Sequence, residues 1–353
     1  MSKVGQFLKK KNVTFSLKRY GIDALGAMAQ GLFASLLIGT ILDTVGTQFG
    51  IEVLNQIASY AKAVTGVAMA VAIGYALQCP PLVLFSLAAV GQAANALGGA
   101  GGPLAVYVVA TIAAEIGKIV SKETKIDILV TPIVTIGVGV LLSIWCAPHI
   151  GYAANKVGDA IMWATELQPF LMGILVSVLV GIALTLPISS AAICAALGLT
   201  GLAGGAAVAG CCAQMVGFAV MSFRENRWGG LVAQGLGTSM LQMGNIVKNP
   251  KIWIPPTLAS AITGPIATCL FRLQMNGAAV SSGMGTCGMV GPIGVYSGWV
   301  KDIANGIKPA ITAMDWIGLA LICIVLPAVL TWVFGLVFRK IGWIKENDLK
   351  LDL

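Results

Sequence analysis

Two uncharged stretches constrain this chain more than any other feature. Residues 63–114 and 167–223 contain no Asp, Glu, Lys or Arg. One helix needs about 20 residues to cross a hydrocarbon core about 30 Å thick, so each stretch must fold back on itself inside the membrane. Only 10% of the 353 residues are charged and 57% are hydrophobic, whereas a soluble domain carries roughly 25% charged residues. We therefore predict an all-α polytopic membrane protein.

The positions of Lys and Arg predict its topology. They cluster before the first apolar segment and after the last one, which places both termini in the cytoplasm by the positive-inside rule. The number of full crossings should then be even, and about 8–10 transmembrane helices with re-entrant hairpins satisfy the charge pattern. The net charge of +8 is explained by topology, so no nucleic-acid partner is expected. Residues 1–20 are basic and amphipathic, unlike a cleavable signal peptide.

The chain divides into three predicted parts. Residues 1–20 are predicted to form a cytoplasmic interfacial amphipathic helix, residues 21–340 a single transmembrane transporter domain, and residues 341–353 a cytoplasmic tail. Within the middle part, 21–150 is a candidate scaffold and 169–300 a candidate transport region. A span over 128–147 is predicted to stop at Pro148 and His149 in an outer loop, because proline disrupts helices, with an external interfacial helix following over 153–168.

Interrupted apolar segments predict where a ligand binds. Residues 253–271 are apolar, but they are bracketed by the polar stretch 244–251 and the glycine-rich stretch 276–294. Unpaired backbone is so costly in hydrocarbon that broken helices persist only where protein or a wet cavity surrounds them. Such breaks mark the binding sites of many transporters. A second interrupted stretch begins at Pro187.

Polar side chains within apolar segments are further candidates. Glu115 lies three residues before Lys118, so the two can pair on one helix face. An intramembrane carboxylate suggests a coupling role, whereas an interfacial position would make it structural. Amide groups suit a neutral, hydroxyl-rich solute because they donate and accept without a charge, although each could equally bridge two helices. The candidates for coupling or polar lining are Glu115, Gln92, Asn95, Gln214 and Gln242.

No catalytic constellation is visible in the sequence. His149 is the only histidine, the carboxylates are scattered, and the eight cysteines form no CxxC pair. No phosphate-binding loop of the GxxxxGK[ST] type occurs either. We therefore expect no catalytic residues, no metal and no cofactor, and transport that is passive, ion-coupled or driven by a separate protein.

Three strings of the sequence resemble a known family. They are VKNPKIWIPPTLASAITGPIA at 247–267, TLPISSAAI at 185–193 and NGAAVSSGMGTCGMVGPIG at 276–294. Together they resemble the membrane-embedded IIC subunit of bacterial phosphotransferase-system sugar transporters, in its stand-alone, PfoR-like branch. The resemblance implies an EIIC-like fold and a homodimeric carrier in the bacterial inner membrane. By position, it implies substrate-binding roles for Pro187, Ser189, Ser190, Asn245, Asn249, Asn276, Ser281, Ser282 and Thr286.

Two departures from that family pattern matter. IIC proteins often carry a histidine and a glutamate near the sugar, but the matching segments here contain no histidine, and no phosphorylated IIA or IIB domain is fused to the chain. The leading hypothesis is therefore alternating-access transport of a small polar solute, a sugar or a related metabolite, without substrate phosphorylation in this chain. A membrane-bound ligand sensor or regulator, and a phosphotransferase permease using separate cytoplasmic IIA and IIB proteins, are the alternatives. The other expected partner is the lipid bilayer.

Overall fold

The computed structural model describes residues 3–351, and this part of the chain is almost entirely helical. It contains no strand, and its one isolated bridge joins Gly201 to Met275 in the antiparallel sense. The predicted all-α class is confirmed. The α-helices are α1 (Lys3–Lys10), α2 (Leu25–Leu32), α3 (Ile38–Phe49), α4 (Glu52–Ala63), α5 (Thr65–Ala76), α6 (Pro81–Gly98), α7 (Gly102–Val120), α8 (Asp127–Thr165), α9 (Pro169–Thr185), α10 (Ser190–Ala196), α11 (Gly201–Met221), α12 (Phe223–Val232), α13 (Met243–Lys248), α14 (Ile254–Pro265), α15 (Val290–Ala304), α16 (Ala313–Ala320) and α17 (Leu326–Lys340).

Five apolar helical stretches among the described residues are long enough to cross a membrane. A sixth counts if α4 and α5, which meet at a bend of 52°, are taken as one span. The apolar helix α9 is shorter, with 17 residues. The five are Arg19–Phe49, Pro81–Val120, Asp127–Thr165, Gly201–Met221 and Ala313–Lys340. The chain is therefore a multi-pass membrane protein.

The stretch Pro81–Val120 is a hairpin. Its two helices α6 and α7, of 18 and 19 residues, each extend about 28 Å at 1.5 Å per residue. A Cβ atom on Gly117, near the end of α7, would lie 2.8 Å from Val83 near the start of α6, so the helices run antiparallel. The reversal occurs at Gly99, whose φ of +51° suits glycine. The uncharged stretch 63–114, predicted to fold back on itself, contains the turn of this hairpin.

Two local predictions were wrong. Helix α8 runs without a break through Pro132 and Pro148 to Thr165, so His149 is an exposed helical residue and no separate helix begins at 153. Membrane helices tolerate proline when neighbouring groups satisfy the freed carbonyl. The first helix is also shorter than predicted: it ends at Lys10, because Asn12 adopts a left-handed conformation (φ +55°) and the Val13 amide closes back on the Leu8 carbonyl at 2.9 Å.

The chain forms two compact units. Unit 1 comprises Met1–Gly39 and Glu52–Ala153, and unit 2 comprises Thr40–Ile51 and Ala154–Leu353. In unit 1, α5 packs closely on α2, α6 and α7. Gly66 and Gly91 face each other there, and a Cβ atom on either would overlap the carbonyl of the other. Small residues at such contacts let membrane helices approach backbone to backbone.

Unit 2 is built around α11. This helix packs against α9, α14 and α17, and most of its residues are buried. A Cβ atom on Gly210 would overlap the Ser177 carbonyl of α9, and one on Gly264 of α14 would overlap the Gly173 carbonyl. The glycine and alanine content of this region therefore serves close helix packing.

Candidate functional site

Two interrupted segments of unit 2 meet at what we call the hairpin crossing, formed by residues 187–199 and 279–286. The Ser190 hydroxyl, at the start of α10, donates to the Gly283 carbonyl at 2.7 Å. In the opposite direction, the Ser282 hydroxyl donates to the Leu199 carbonyl at 2.6 Å. The tips of the two segments are therefore joined by hydroxyl-to-carbonyl hydrogen bonds.

A backbone pair supports the crossing. The Gly201 amide donates to the Met275 carbonyl at 2.9 Å, and the Met275 amide donates back at the same distance. The backbone amide and carbonyl of Met275, in the extended stretch 273–278, are thus satisfied within the protein, as a non-helical segment among membrane helices requires. Gly205 packs on the same segment, where any side chain would overlap the Leu273 carbonyl.

Most of the polar residues of the crossing are buried in this structure. Ser190, Ser281, Ser282 and Thr286 are each at most 6% exposed, and Pro187 is buried. Ser189 is the N-cap of α10 and accepts from the Ala192 amide at 3.2 Å. The Thr286 hydroxyl faces the Met215 sulfur at 3.7 Å. Ser190 and Ser282 therefore meet in a buried contact, Pro187, Ser281 and Thr286 are buried in the same two segments, and Ser189 caps α10.

Gln214 is the centre of a second polar cluster in unit 2. Its carbonyl oxygen accepts from the Trp253 indole at 3.0 Å and the Thr185 hydroxyl at 3.3 Å, and its amide donates to Thr257 at 3.3 Å. Thr185 also bonds Ser239 at 2.7 Å. Gln214 is fully buried and precedes Met215, the neighbour of Thr286. The cluster therefore adjoins the crossing.

Sequence reasoning identified Gln214 but missed the other members of the cluster: its partners Thr185, Trp253 and Thr257, and Ser239, which bonds Thr185. Each is a common residue in an apolar segment, and its importance comes from distant parts of the chain meeting around one amide. A usable signal was the location of Trp253 directly after the polar interruption 244–251, since a buried indole N–H needs an acceptor.

Three of the predicted amides contact another segment instead. Gln242, Asn245 and Asn249 donate to residues 343–350 of the C-terminal tail at 2.8–3.0 Å. Asn276 lies in the extended stretch 273–278 and donates to Asp302 at 2.8 Å and to Gln274 at 3.2 Å. The sequence pattern located these groups in interrupted backbone, but the structure turns their side chains to other partners.

The polar candidates of unit 1 form a different arrangement. The Glu115 carboxylate pairs with Lys118 at 2.7 Å and Arg19 at 3.4 Å, and it accepts from the Tyr20 hydroxyl at 3.1 Å. The Lys118 ammonium also donates to the carbonyls of Asn12 and Leu77, at 3.0 and 3.2 Å. These contacts fix the N-terminal segment to the ends of α5 and α7.

The two remaining candidates lie on α6. Gln92 is exposed, while Asn95 is partly buried, and a Cβ atom on Gly66 or Gly102 would lie 2.6 Å from its side chain. Asn95 therefore occupies a close helix contact in unit 1. Neither residue belongs to unit 2, which contains the hairpin crossing.

A cavity in unit 2 is lined by side chains of both charges, among them Asp302, the residue to which Asn276 donates. It measures about 220 Å³ and is lined in part by Asp302, Trp299 and Arg272. Lys308 and Asp315, which also line it, pair at 2.7 Å, and the Lys308 ammonium lies 5.7 Å from the centre of the Trp299 ring. Two of its charged groups, Lys308 and Asp315, therefore pair with each other, and Asp302 accepts from Asn276.

The chain was compared with protein families, curated proteins and solved structures. The family described as "Phosphotransferase system, EIIC" matches residues 22–351. Comparison with curated proteins gave no match, and neither did comparison with solved structures. The match spans both compact units and every predicted site residue.

Proposed function

The chain belongs to the phosphotransferase-system EIIC family, and from that premise we propose that it carries a small polar solute, a sugar or a related metabolite, by alternating access. The observation that carries this proposal is the hairpin crossing. Two interrupted segments meet there through buried hydroxyl groups, Ser190 and Ser282, which bond the opposite backbone. Interrupted segments that face each other in this way are typical of transporter binding sites.

The chemistry of the crossing suits a hydroxyl-rich ligand. Separating the two tips would free two serine hydroxyls and the carbonyls of Gly283 and Leu199, which together offer donors and acceptors without net charge. A solute with several hydroxyl groups could replace each of these bonds. The Gln214 cluster would add an amide to the same region, since Gln214 adjoins Met215 and Thr286.

Unit 2 contains the whole candidate transport region, 169–300, and we assign the moving part to it. Unit 1 contains nearly all of the candidate scaffold, 21–150. We also propose a homodimer in the bacterial inner membrane, with re-entrant hairpins and both termini in the cytoplasm. The support for this topology is the clustering of Lys and Arg at the two ends of the chain.

We propose that this chain does not itself phosphorylate the solute. Its single histidine lies on the exposed face of α8 in unit 1, and the crossing in unit 2 contains none. Family membership nevertheless favours a second candidate: a permease that works with separate IIA and IIB proteins. The two are distinguished by adding a phosphodonor system to reconstituted protein, because only the second candidate yields phosphorylated product.

The main test is uptake of labelled sugars into proteoliposomes, with and without a sodium or proton gradient. Ser190→Ala and Ser282→Ala should each raise the KM about 3- to 10-fold, because each hydroxyl donates one bond in the structure but could both donate to and accept from a solute, and the additional neutral hydrogen bond contributes about 0.5–1.5 kcal/mol. Ser297→Ala is the matched control, because Ser297 is exposed and bonds only within its own helix. Equal KM values for all three variants would contradict the proposed site.

Failure of uptake has a defined meaning as well. If no candidate solute is taken up but one of them raises the thermal stability of the protein, the sensor or regulator alternative is favoured. If no solute is taken up and none shifts the stability, the transport proposal fails.

Native cysteines provide a second test of alternating access. Cys287 is 1% exposed and follows Thr286 in the crossing, whereas Cys269 is exposed. A thiol reagent followed by mass spectrometry should label Cys269 at a constant rate and label Cys287 at a rate that the solute changes. A constant Cys287 rate across all solutes would argue against an opening crossing.

A further inference from the structure

The C-terminal strap, residues 343–351, is held in a groove of amide side chains in unit 2. Asn226 of α12 grips it from both sides of its amide: the nitrogen donates to the Leu349 carbonyl at 2.7 Å, and the oxygen accepts from the Leu351 amide at 2.8 Å. Both of these hydrogen bonds are to main-chain atoms, so this contact does not depend on the side chains of the strap.

Three more amides continue the groove. Gln242 donates to the Leu349 carbonyl at 3.0 Å, and Asn245 donates to the Lys350 carbonyl at 2.8 Å. Asn249 donates to the Trp343 carbonyl at 2.9 Å and to the Asp348 carboxylate at 2.8 Å. All but one of these contacts are to backbone atoms of the strap, which turns at 345–350: the Asp348 amide donates to the Lys345 carbonyl and the Lys350 amide to the Asn347 carbonyl, both at 3.2 Å.

Two apolar side chains anchor the strap. Leu349 is fully buried and Ile344 is 2% exposed, whereas Trp343, Lys345 and Glu346 are exposed. The Lys251 ammonium lies 5.2 Å from the centre of the Trp343 ring. The strap is therefore held by a few exchangeable hydrogen bonds and two anchors, unlike the deeply packed helices of the same unit.

The groove is connected to the irregular part of unit 2. Gln242 also bonds Gln234 at 2.8 Å, and Gln234 donates to the Ser222 hydroxyl at 2.8 Å. This relay joins α12, α13 and the short helical pieces between them. Arg227 adds a break within α12, with a φ of +51°. The strap thus ties together short segments that no long helix supports.

We propose that the strap is an autoinhibitory latch: it holds residues 222–253 in the closed arrangement and must leave the groove before the hairpin crossing opens. This inference rests on the proposed transport function. If the strap were released, Asn226, Gln242 and Asn245 would lose their main-chain partners in it. The short helical segments within 222–253 would then be free to move relative to α11. The groove binds main-chain groups of a turned segment, and its occupant is residues 343–351 of this chain.

The test uses the full-length protein in lipid nanodiscs and proteoliposomes. Asn226→Ala removes two strap contacts, and Leu349→Ala removes the buried anchor. Glu346→Ala is the control, because this exposed strap residue makes no hydrogen bond to the groove. Hydrogen exchange at residues 349–351 should accelerate at least about tenfold in the first two variants and remain unchanged in the control.

Release of the latch should then open the crossing. We expect faster labelling of Cys287 by a thiol reagent and a several-fold higher initial uptake rate in Asn226→Ala and Leu349→Ala. Strap exchange that stays slow in both variants would overturn the assignment of the groove. Fast strap exchange with unchanged Cys287 labelling would overturn the latch and leave a purely structural tail.

These readouts separate the latch from the transport proposal. Hydrogen exchange and Cys287 labelling need no solute, so they decide the latch even if no sugar is carried. Absence of uptake in every variant, combined with faster Cys287 labelling after strap release, would support the latch and reject the proposed solute class.

Discussion

Replacing Gln214 by leucine tests whether the polar cluster beside the hairpin crossing is a coupled unit. Leucine approximates the shape of glutamine but removes its donors and its acceptor. Thr185 keeps its bond to Ser239 at 2.7 Å, and Thr257 keeps its bond to the Trp253 carbonyl at 2.7 Å. The Trp253 indole N–H, which can only donate, loses the acceptor that the structure gives it.

The magnitude follows from that single orphaned donor. A buried donor left unsatisfied costs about 1–3 kcal/mol, and the partial exposure of Trp253 favours the lower half of that range. We expect Gln214→Leu to lower the free energy of unfolding by about 1–2 kcal/mol. For a folding unit of roughly 150–250 residues, this loss of stability corresponds to a Tm lower by about 2–8 °C.

A double-mutant cycle identifies the cause. Trp253→Phe removes the donor, so Gln214→Leu should cost much less in that background, since replacing both partners by apolar groups is nearly neutral. The assay is unfolding in mixed detergent micelles, followed by far-UV circular dichroism so that the lost tryptophan does not alter the signal. A coupling energy of about 1 kcal/mol or more supports the reasoning. Strict additivity of the two substitutions would refute it.

Three further outcomes are expected. Gly210→Ala should abolish the folded fraction measured by size-exclusion chromatography in detergent, because its methyl group would overlap a carbonyl of α9. The control Gly137→Ala has open space around it, so it should leave the stability unchanged or raise it by about 0.5–1 kcal/mol. Equal yields of folded protein for the two variants would contradict this. Glu115→Gln leaves buried cations unpaired and should cost about 3–5 kcal/mol, read as a lower Tm, so an unchanged Tm would show the pairing to be unimportant. The Lys11 ammonium hydrogen-bonds Glu123 and holds the pKa of that carboxyl below its usual range. The stability it provides is present above the ordinary glutamate pKa and is lost as pH falls through the lower folded value, so amide exchange near Lys11, corrected for intrinsic rate, should show an acid step that Glu123→Gln abolishes.

Hydropathy and breaker residues were sufficient for much of the fold. Pro81, the glycines around Gly99 and the polar run after Val120 bound two apolar segments, and α6 and α7 follow those limits. The same reasoning failed at Pro148. A proline removes one donor, but whether the helix breaks depends on how neighbouring groups satisfy the freed carbonyl, which a local sequence pattern does not reveal.

Only part of the candidate site could be predicted, again because a local sequence pattern does not show which groups a side chain meets. Serines in interrupted segments carry a sequence signal, and Ser190 and Ser282 do meet at the crossing. The amides carry the same signal, yet Asn245 and Gln242 bind backbone carbonyls of the tail. A carbonyl acceptor belongs to every residue and leaves no mark in the sequence, so the strap could not be found from side-chain types.

The closed crossing also limits how tightly a solute can bind. Ser190 and Ser282 already donate to carbonyls, so a hydroxyl-rich solute must replace those bonds before it gains anything. Exchanging one neutral hydrogen bond for another changes the free energy little, and only the additional donors and acceptors of the solute contribute net affinity. The strap adds to the same cost if it must leave first, since the apparent affinity falls in proportion to the population of open molecules. Strap release in Asn226→Ala should therefore lower the apparent Kd for the solute without changing any residue of the crossing. If Asn226 instead bound the solute directly, the same substitution would raise the apparent Kd.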